Sequence, residues 1–287
     1  MIELGLIGYP LEHSLSPQLH QAALNALGLE GRYRLFPIPP MPEGETALRD
    51  IMQSLRAGDL DGLNVTIPHK QVVIPWVDEL SPVAQEVGAV NTLIRRGNRL
   101  FGDNTDVPGF LTDLRSVGID PTVVGSALVL GAGGSARAVV FALLKSGWSV
   151  TLAARRPGVC LSYTHQVISA VPLTAQALRQ MLMECKLIVN TTPVGMTPQV
   201  DASPWPVDLP FPTGAVLYDL VYNPPVTRLV MHARQAGLVA NTGLGMLIEQ
   251  AALSFERWVG QKPSIQSMRE AVIPAPDVRS QTEVKTQ

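Results

Sequence analysis

Two hydrophobic patterns alternate along this chain. Short apolar runs bounded by Gly, Pro, Asn or Asp read as strands, and stretches with apolar residues three and four positions apart read as helices. Residues 1–7 form the first run, which Gly8-Tyr9-Pro10 ends. A helix follows from Ser16, with Ser16 as N-cap, Pro17 in the first turn and Gly28 as terminator. Leu19, Ala22, Ala23, Ala26 and Leu27 make its apolar face. A strand at 32–37, a helix at 45–56 and a strand at 60–64 continue the alternation. Residues 89–95 and 99–101 predict a hairpin turning on Arg96-Gly97-Asn98, and residues 107–117 a helix.

From residue 126 the runs become uninterrupted. Residues 126–130 (SALVL) suit a strand buried on both faces, as in a parallel sheet. A glycine-rich turn and a helix over 135–146 follow directly. Further strands are predicted at 149–153, 187–190 and 215–220, and helices at 227–235 and 243–258. Residues 157–172 disfavour a long helix, because Pro157, Gly158 and several β-branched residues interrupt it. The polar tail after Pro274 is expected to fray.

Composition narrows the function classes. At 46% hydrophobic and 16% charged, the chain can build a substantial core and is not disordered. A net charge of -2 provides no basic field for nucleic acid or an anionic membrane. Cys160 and Cys185, the only cysteines, make neither a disulfide framework nor a zinc pattern, so no metal is expected. The start MIELGLIGYP lacks the basic region of a signal peptide, and no apolar run approaches ~18 residues. A soluble, reduced, cytoplasmic α/β protein is expected.

Three segments carry candidate chemistry. Gly131-Ala132-Gly133-Gly134-Ser135 lies between a strand and a helix, where glycines let a pyrophosphate approach the backbone and the helix N-terminus. At the end of the next strand stand Ala154, Arg155 and Arg156, in place of the carboxylate that holds a ribose 2′-hydroxyl in NAD binders. Guanidiniums there suit the extra phosphate of NADP. The third segment, Asn64-Val-Thr66-Ile-Pro68-His69-Lys70, puts a lysine at a strand end rich in hydrogen-bonding groups. Asn91-Thr92 and Gly102-Asp-Asn-Thr-Asp106 read singly as polar turns.

Together these segments resemble the shikimate dehydrogenase family. The motifs are Gly5-Leu-Ile-Gly-Tyr-Pro10 with His13-Ser14-Leu-Ser16-Pro17, the Asn64 to Lys70 segment, Gly88-Ala-Val-Asn91-Thr92 and Gly102 to Asp106. They continue with Gly131 to Ala136, Asn190-Thr-Thr-Pro-x-Gly-Met196, Tyr218-Asp-x-x-Tyr222-x-Pro224 and Gly243 to Gln250. The resemblance implies an α/β fold of two domains. An N-terminal substrate domain would span residues 1–105, joined by about 243–275, and a doubly wound Rossmann-like NADP-binding domain would span 106–242. It implies reversible reduction of 3-dehydroshikimate to shikimate with NADPH, Lys70 and Asp106 being the catalytic pair. Ser14 and Ser16 would hold the substrate carboxylate, and Asn64, Thr66, Asn91, Asp106, Tyr222 and Gln250 the ring hydroxyls. The cofactor would meet Gly131 to Ser135, Ala154 to Arg156, Leu220 and Gly243. Asp103 is a nearby alternative to Asp106, and His69 is expected to be structural or exposed.

Departures from the family pattern are Gln21, in place of a frequent asparagine, and Ala154-Arg155-Arg156, in place of Asn-Arg-Thr. Three other readings stay open: a quinate/shikimate enzyme using NAD, a non-catalytic small-molecule sensor on the same fold, and a folate-linked dehydrogenase of similar layout. A monomer and a homodimer are equally compatible with the sequence.

Overall fold

The computed structural model describes residues 1–156, 158–163 and 166–273. The tail after Pro274 lies outside them. The first part of the chain runs β1 (Ile2–Gly8), α1 (Ser16–Ala26), β2 (Gly31–Pro37), α2 (Glu45–Ala57), β3 (Gly62–Val65), β4 (Glu79–Leu80), α3 (Pro82–Val87), β5 (Thr92–Arg96), β6 (Arg99–Asp103) and α4 (Asp106–Ser116). The second part runs β7 (Ser126–Leu130), α5 (Gly134–Lys145), β8 (Ser149–Ala154), β9 (Cys160–Tyr163), β10 (Gln166–Ser169), β11 (Val171–Pro172), α6 (Ala175–Leu178), β12 (Cys185–Asn190), β13 (Val216–Asp219), α7 (Arg228–Gln235), β14 (Val239–Thr242), α8 (Leu244–Val259) and α9 (Ile265–Glu270).

Twelve of the strands form two six-stranded sheets, and β9 and β10 pair as a separate two-stranded ribbon. The first has the order β2-β1-β3-β5-β6-β4, with parallel pairs around β1 and an antiparallel hairpin at β5–β6. The second has the order β11-β8-β7-β12-β13-β14 and is parallel throughout. Counted within that unit, this is the 3-2-1-4-5-6 order of the doubly wound dinucleotide fold. Its crevice opens where the order reverses, beyond the carboxyl ends of β7 and β12.

Each sheet is covered on both faces. Leu48, Met52 and Leu55 of α2 pack beneath Ile7, Leu63 and Leu93. On the opposite face Leu4 and Leu6 meet Leu19, Ala23 and Leu24 of α1 together with Ile248, Ala251 and Phe255 of α8. The C-terminal helices therefore return to the first sheet. Phe110 and Leu114 of α4 share a core with Val129 and Val189 of the second sheet and with Val139 of α5. Since α8 also packs against α4, these two helices tie the sheets together.

Several sequence expectations need correction. Ser16 is the first residue of α1 and not its N-cap; that position belongs to Leu15, whose side chain cannot cap. The Ser16 N–H instead points back to Ser14 Oγ at 3.3 Å. The hairpin strand predicted from residue 89 begins at Thr92, because Val90 N–H is taken by the Lys70 carbonyl and Asn91 N–H by that of Asp103. The short elements β4, α3, β11, α6, β14 and α9 and the β9–β10 hairpin escaped prediction. The hairpin occupies the stretch where a long helix is disfavoured, and Tyr163 Oη ties it to the Arg137 carbonyl of α5 at 3.0 Å.

Candidate active site

A cleft of about 550 Å³ lies between the two sheets. Its walls include Ser14, Ser16, Asn64, Thr66, Lys70 and Asn91 from the first part of the chain, Asp106 from α4 and Gln250 from α8. Ser135, Leu220, Tyr222 and Gly243 line it from the second part. Residues more than two hundred positions apart thus converge on one cavity.

At its centre Lys70 Nζ donates to Asp106 Oδ2 at 2.7 Å. Side-chain exposures of 12% for Lys70 and 5% for Asp106 leave the pair largely shielded from bulk water. Local folding explains the placement. Lys70 follows β3 after the turn through Thr66 and Pro68, and its carbonyl accepts from Val90 N–H at 2.7 Å. Asp106 opens α4, where a carboxylate is favoured by the helix dipole. Asn91 Nδ2 donates to Asp106 Oδ1 at 2.9 Å and to Thr105 Oγ1 at 2.9 Å, which fixes the carboxylate plane. The same nitrogen lies 3.3 Å from Gln250 Oε1.

The other two candidates have different tasks. Asp103 accepts from Arg257 Nε at 3.0 Å and from Asn104 N–H, so its oxygens are engaged away from the cleft. His69 is fully buried, and its Nε2 meets the Ile38 carbonyl at 2.7 Å. It is structural and not exposed.

The glycine loop meets this centre. A Cβ on Gly134 would lie 3.1 Å from the Lys70 stem, and Lys70 Nζ is 3.5 Å from Ser135 Oγ. Gly131 has φ +105°, and a Cβ there would press on Thr191 Oγ1 at 2.7 Å, so this turn needs glycine. Above Gly133 nothing lies within 4 Å of a Cβ position, and Gly133 caps α5 without a side-chain bond. That leaves a cradle of helix N–H groups suited to a pyrophosphate. Gly131, Ala132, Gly133, Gly134, Ala154, Arg155 and Arg156 lie outside the cleft lining, at the ends of β7 and β8. Both arginines are exposed, and neither has an ion-pair partner among the described residues. The residues present therefore fit a dinucleotide carrying a 2′-phosphate.

Behind Tyr222 and the 191–197 loop lies a buried polar frame. Asp219 accepts from Asn190 Nδ2 at 2.8 Å, Thr227 Oγ1 at 2.6 Å and Val221 N–H at 3.1 Å. Burial pushes the Asp219 pKa up, and those donors hold it down. Burial also raises that of Tyr222. Met196, Thr197, Asn223 and Met246 line the cleft without having been assigned a role from sequence. All four fall within or beside motifs legible in the chain.

Comparison with known proteins agrees with this layout. Residues 6–93 match the shikimate dehydrogenase substrate binding domain, and residues 243–273 match the shikimate 5'-dehydrogenase C-terminal domain. The chain is 39% identical over 282 residues to the shikimate dehydrogenase (NADP(+)) of Symbiobacterium thermophilum, covering 95% of this chain and 94% of that one. It is 38% identical over 279 residues to that of Bacillus subtilis, covering 94% and 95%. The structure of shikimate 5-dehydrogenase from Thermus thermophilus in complex with NADP(H) and shikimate aligns with a TM-score of 0.80 at 40% identity. That alignment covers 94% of this chain and 98% of the other.

Proposed function

The chain belongs to the shikimate dehydrogenase (NADP+) family, and from that membership we infer that it catalyses the reversible reduction of 3-dehydroshikimate to shikimate with NADPH. It is an NADP-dependent oxidoreductase of the pathway toward chorismate and the aromatic amino acids. The observation that carries the site assignment is the Lys70–Asp106 pair at 2.7 Å, set beside Ser135 of the glycine loop.

When bound, NADPH supplies the hydride for the carbonyl carbon. The Lys70 ammonium stabilises the negative charge growing on the carbonyl oxygen and delivers a proton to it. Asp106 keeps that ammonium aimed, and Asn91 keeps Asp106 from rotating. Ser14 and Ser16 present hydroxyls at the start of α1, whose dipole favours the substrate carboxylate. Thr66, Asn64, Gln250 and Tyr222 take the ring hydroxyls. Arg155 and Arg156 would hold the 2′-phosphate, and Leu220 and Gly243, which line the cleft, would contact the cofactor. Residues 1–105 with 243–275 act as the substrate half and residues 106–242 as the cofactor half. Substrate then sits where closure of the halves excludes water. We place the enzyme in the cytoplasm, as a monomer or homodimer acting on small molecules.

Substitution at the pair tests the assignment. Lys70→Met keeps the stem and removes the charge, and turnover is expected to fall by at least ~10²-fold, with a much smaller change in the Michaelis constant for shikimate. Asp106→Asn should also slow turnover, and the two losses should not add in the double variant, since partners acting as a unit fail together. Near-normal turnover in Lys70→Met, or fully additive losses, would remove Lys70 from the proton transfer.

A further inference from the structure

Behind the cleft wall lies a tyrosine to which the reaction gives no task. Tyr33 projects from β2 into the core between α1 and α8, and its residue is 7% exposed. Its ring stacks on His20 of α1, with centroids 4.3 Å apart and planes within 3°. Its hydroxyl donates to Asn64 Oδ1 at 2.9 Å.

The rest of the Asn64 amide is equally committed. Nδ2 donates to the Asn91 carbonyl at 3.1 Å and to Ser254 Oγ at 2.9 Å, and it lies 3.4 Å from Thr92 Oγ1. Ser254 is fully buried on α8, and its hydroxyl also meets Thr92 Oγ1 at 2.8 Å and Thr105 Oγ1 at 3.0 Å. An amide nitrogen has two hydrogens and an amide oxygen two lone pairs. Both hydrogens of Asn64 are engaged inside the protein, and one lone pair is held by Tyr33. What Asn64 retains for the cleft it lines is one acceptor position on Oδ1.

We propose that Tyr33 is a positioning residue for substrate specificity: together with Ser254 it locks the Asn64 amide so that its oxygen accepts a hydrogen bond from a substrate ring hydroxyl. A ligand offering an acceptor at that point meets an oxygen that cannot rotate away. This rests on the reading of the cleft as the shikimate site. His20 supports the arrangement. Neither of its buried ring nitrogens reaches a partner in hydrogen-bonding geometry among the described residues, and burial lowers its pKa to about 3 against a smaller raising effect of the neighbouring Asn64 side chain. The ring is therefore neutral at ordinary pH and stacks on the phenol as an uncharged plate. Burial pushes the Tyr33 pKa well above its ordinary value, so the hydroxyl keeps the proton it donates.

The test is Tyr33→Phe, which keeps the ring and the stack and removes only the hydroxyl. The Michaelis constant for shikimate is expected to rise by roughly fivefold to tenfold, with turnover number and the Michaelis constant for NADP nearly unchanged. The wild type should disfavour, by at least roughly tenfold in kcat/KM, one of two shikimate analogues in which a hydroxyl spared by the reaction is replaced by fluorine, which cannot donate. Tyr33→Phe should lose most of that discrimination. Ser254→Ala releases the amide from its nitrogen side and should act in the same direction, so it carries the test if Tyr33→Phe does not fold. Unchanged shikimate kinetics with only a lowered Tm, or undiminished discrimination, overturns the proposal and leaves Tyr33 as core filling. Absence of shikimate oxidation by the wild type would instead overturn the parent function.

Discussion

Arg155 and Arg156 show how little a single side chain declares until its neighbours are known. In the sequence they are two charges after a strand; in the fold they stand exposed at the end of β8, with no ion-pair partner among the described residues. Replacing both with neutral residues should raise the Michaelis constant for NADP by roughly ten- to hundredfold, the scale of a lost charge-assisted contact. The constant for NAD should change far less, and equal losses would mean that neither arginine reads the 2′-phosphate. Ser16 makes the complementary case. Leu15 holds the N-cap position, so Ser16→Ala removes no cap bond and should leave Tm almost unchanged. Substrate affinity should still fall, which a titration of shikimate would show. The exposed chemistry of the cleft was legible because its residues sit in short polar motifs. Tyr33 and Ser254 were not, since one reads as an ordinary strand aromatic and the other as a small helix residue.

Elements that bury a continuous apolar run, such as β7 and β12, were legible because only a doubly covered strand tolerates such a run. β14 was not, because Val239-Ala-Asn-Thr242 is short and half polar, and its place is set by pairing with β13. The seating of α8 was equally hidden. A Cβ on Gly245 would lie 1.8 Å from Asp113 Oδ1. Asp113 is buried and is held by Tyr218 Oη and by Ser116 Oγ. It therefore cannot yield easily. Gly245→Ala should destabilise the fold by ~1–3 kcal/mol, the usual cost of overpacking. It should also weaken shikimate binding, because α8 carries Gln250 into the cleft. A thermal melt indistinguishable from the wild type would show that α8 is not seated on Asp113.

On the scale of the whole molecule, the protein joins two sheets through α4 and α8 and places its chemistry where they meet. Long-range convergence of that kind is invisible to local periodicity, and only the ordered series of motifs signalled it. One buried group couples the assembly to pH. The folded state depresses the His20 pKa from 6.5 to about 3 through burial, so below about 6.5 the unfolded chain binds a proton that the folded chain refuses. Its contribution to stability is present above about 6.5 and is lost as pH falls toward about 3. His20→Phe keeps a flat ring on Tyr33 and removes the titration. Melts of both proteins between about pH 7 and about pH 5 should show the wild type losing stability relative to the variant, whereas parallel curves would contradict the assignment.

The central claim is that the cleft oxidises and reduces one polyhydroxylated acid at the expense of NADP(H). The most direct measurement follows the absorbance of reduced cofactor when purified protein is mixed with shikimate and NADP. Reduction is expected to require both components, to saturate with shikimate and to run in reverse with 3-dehydroshikimate and NADPH. No reduction, or reduction no faster with shikimate than without it, would contradict it.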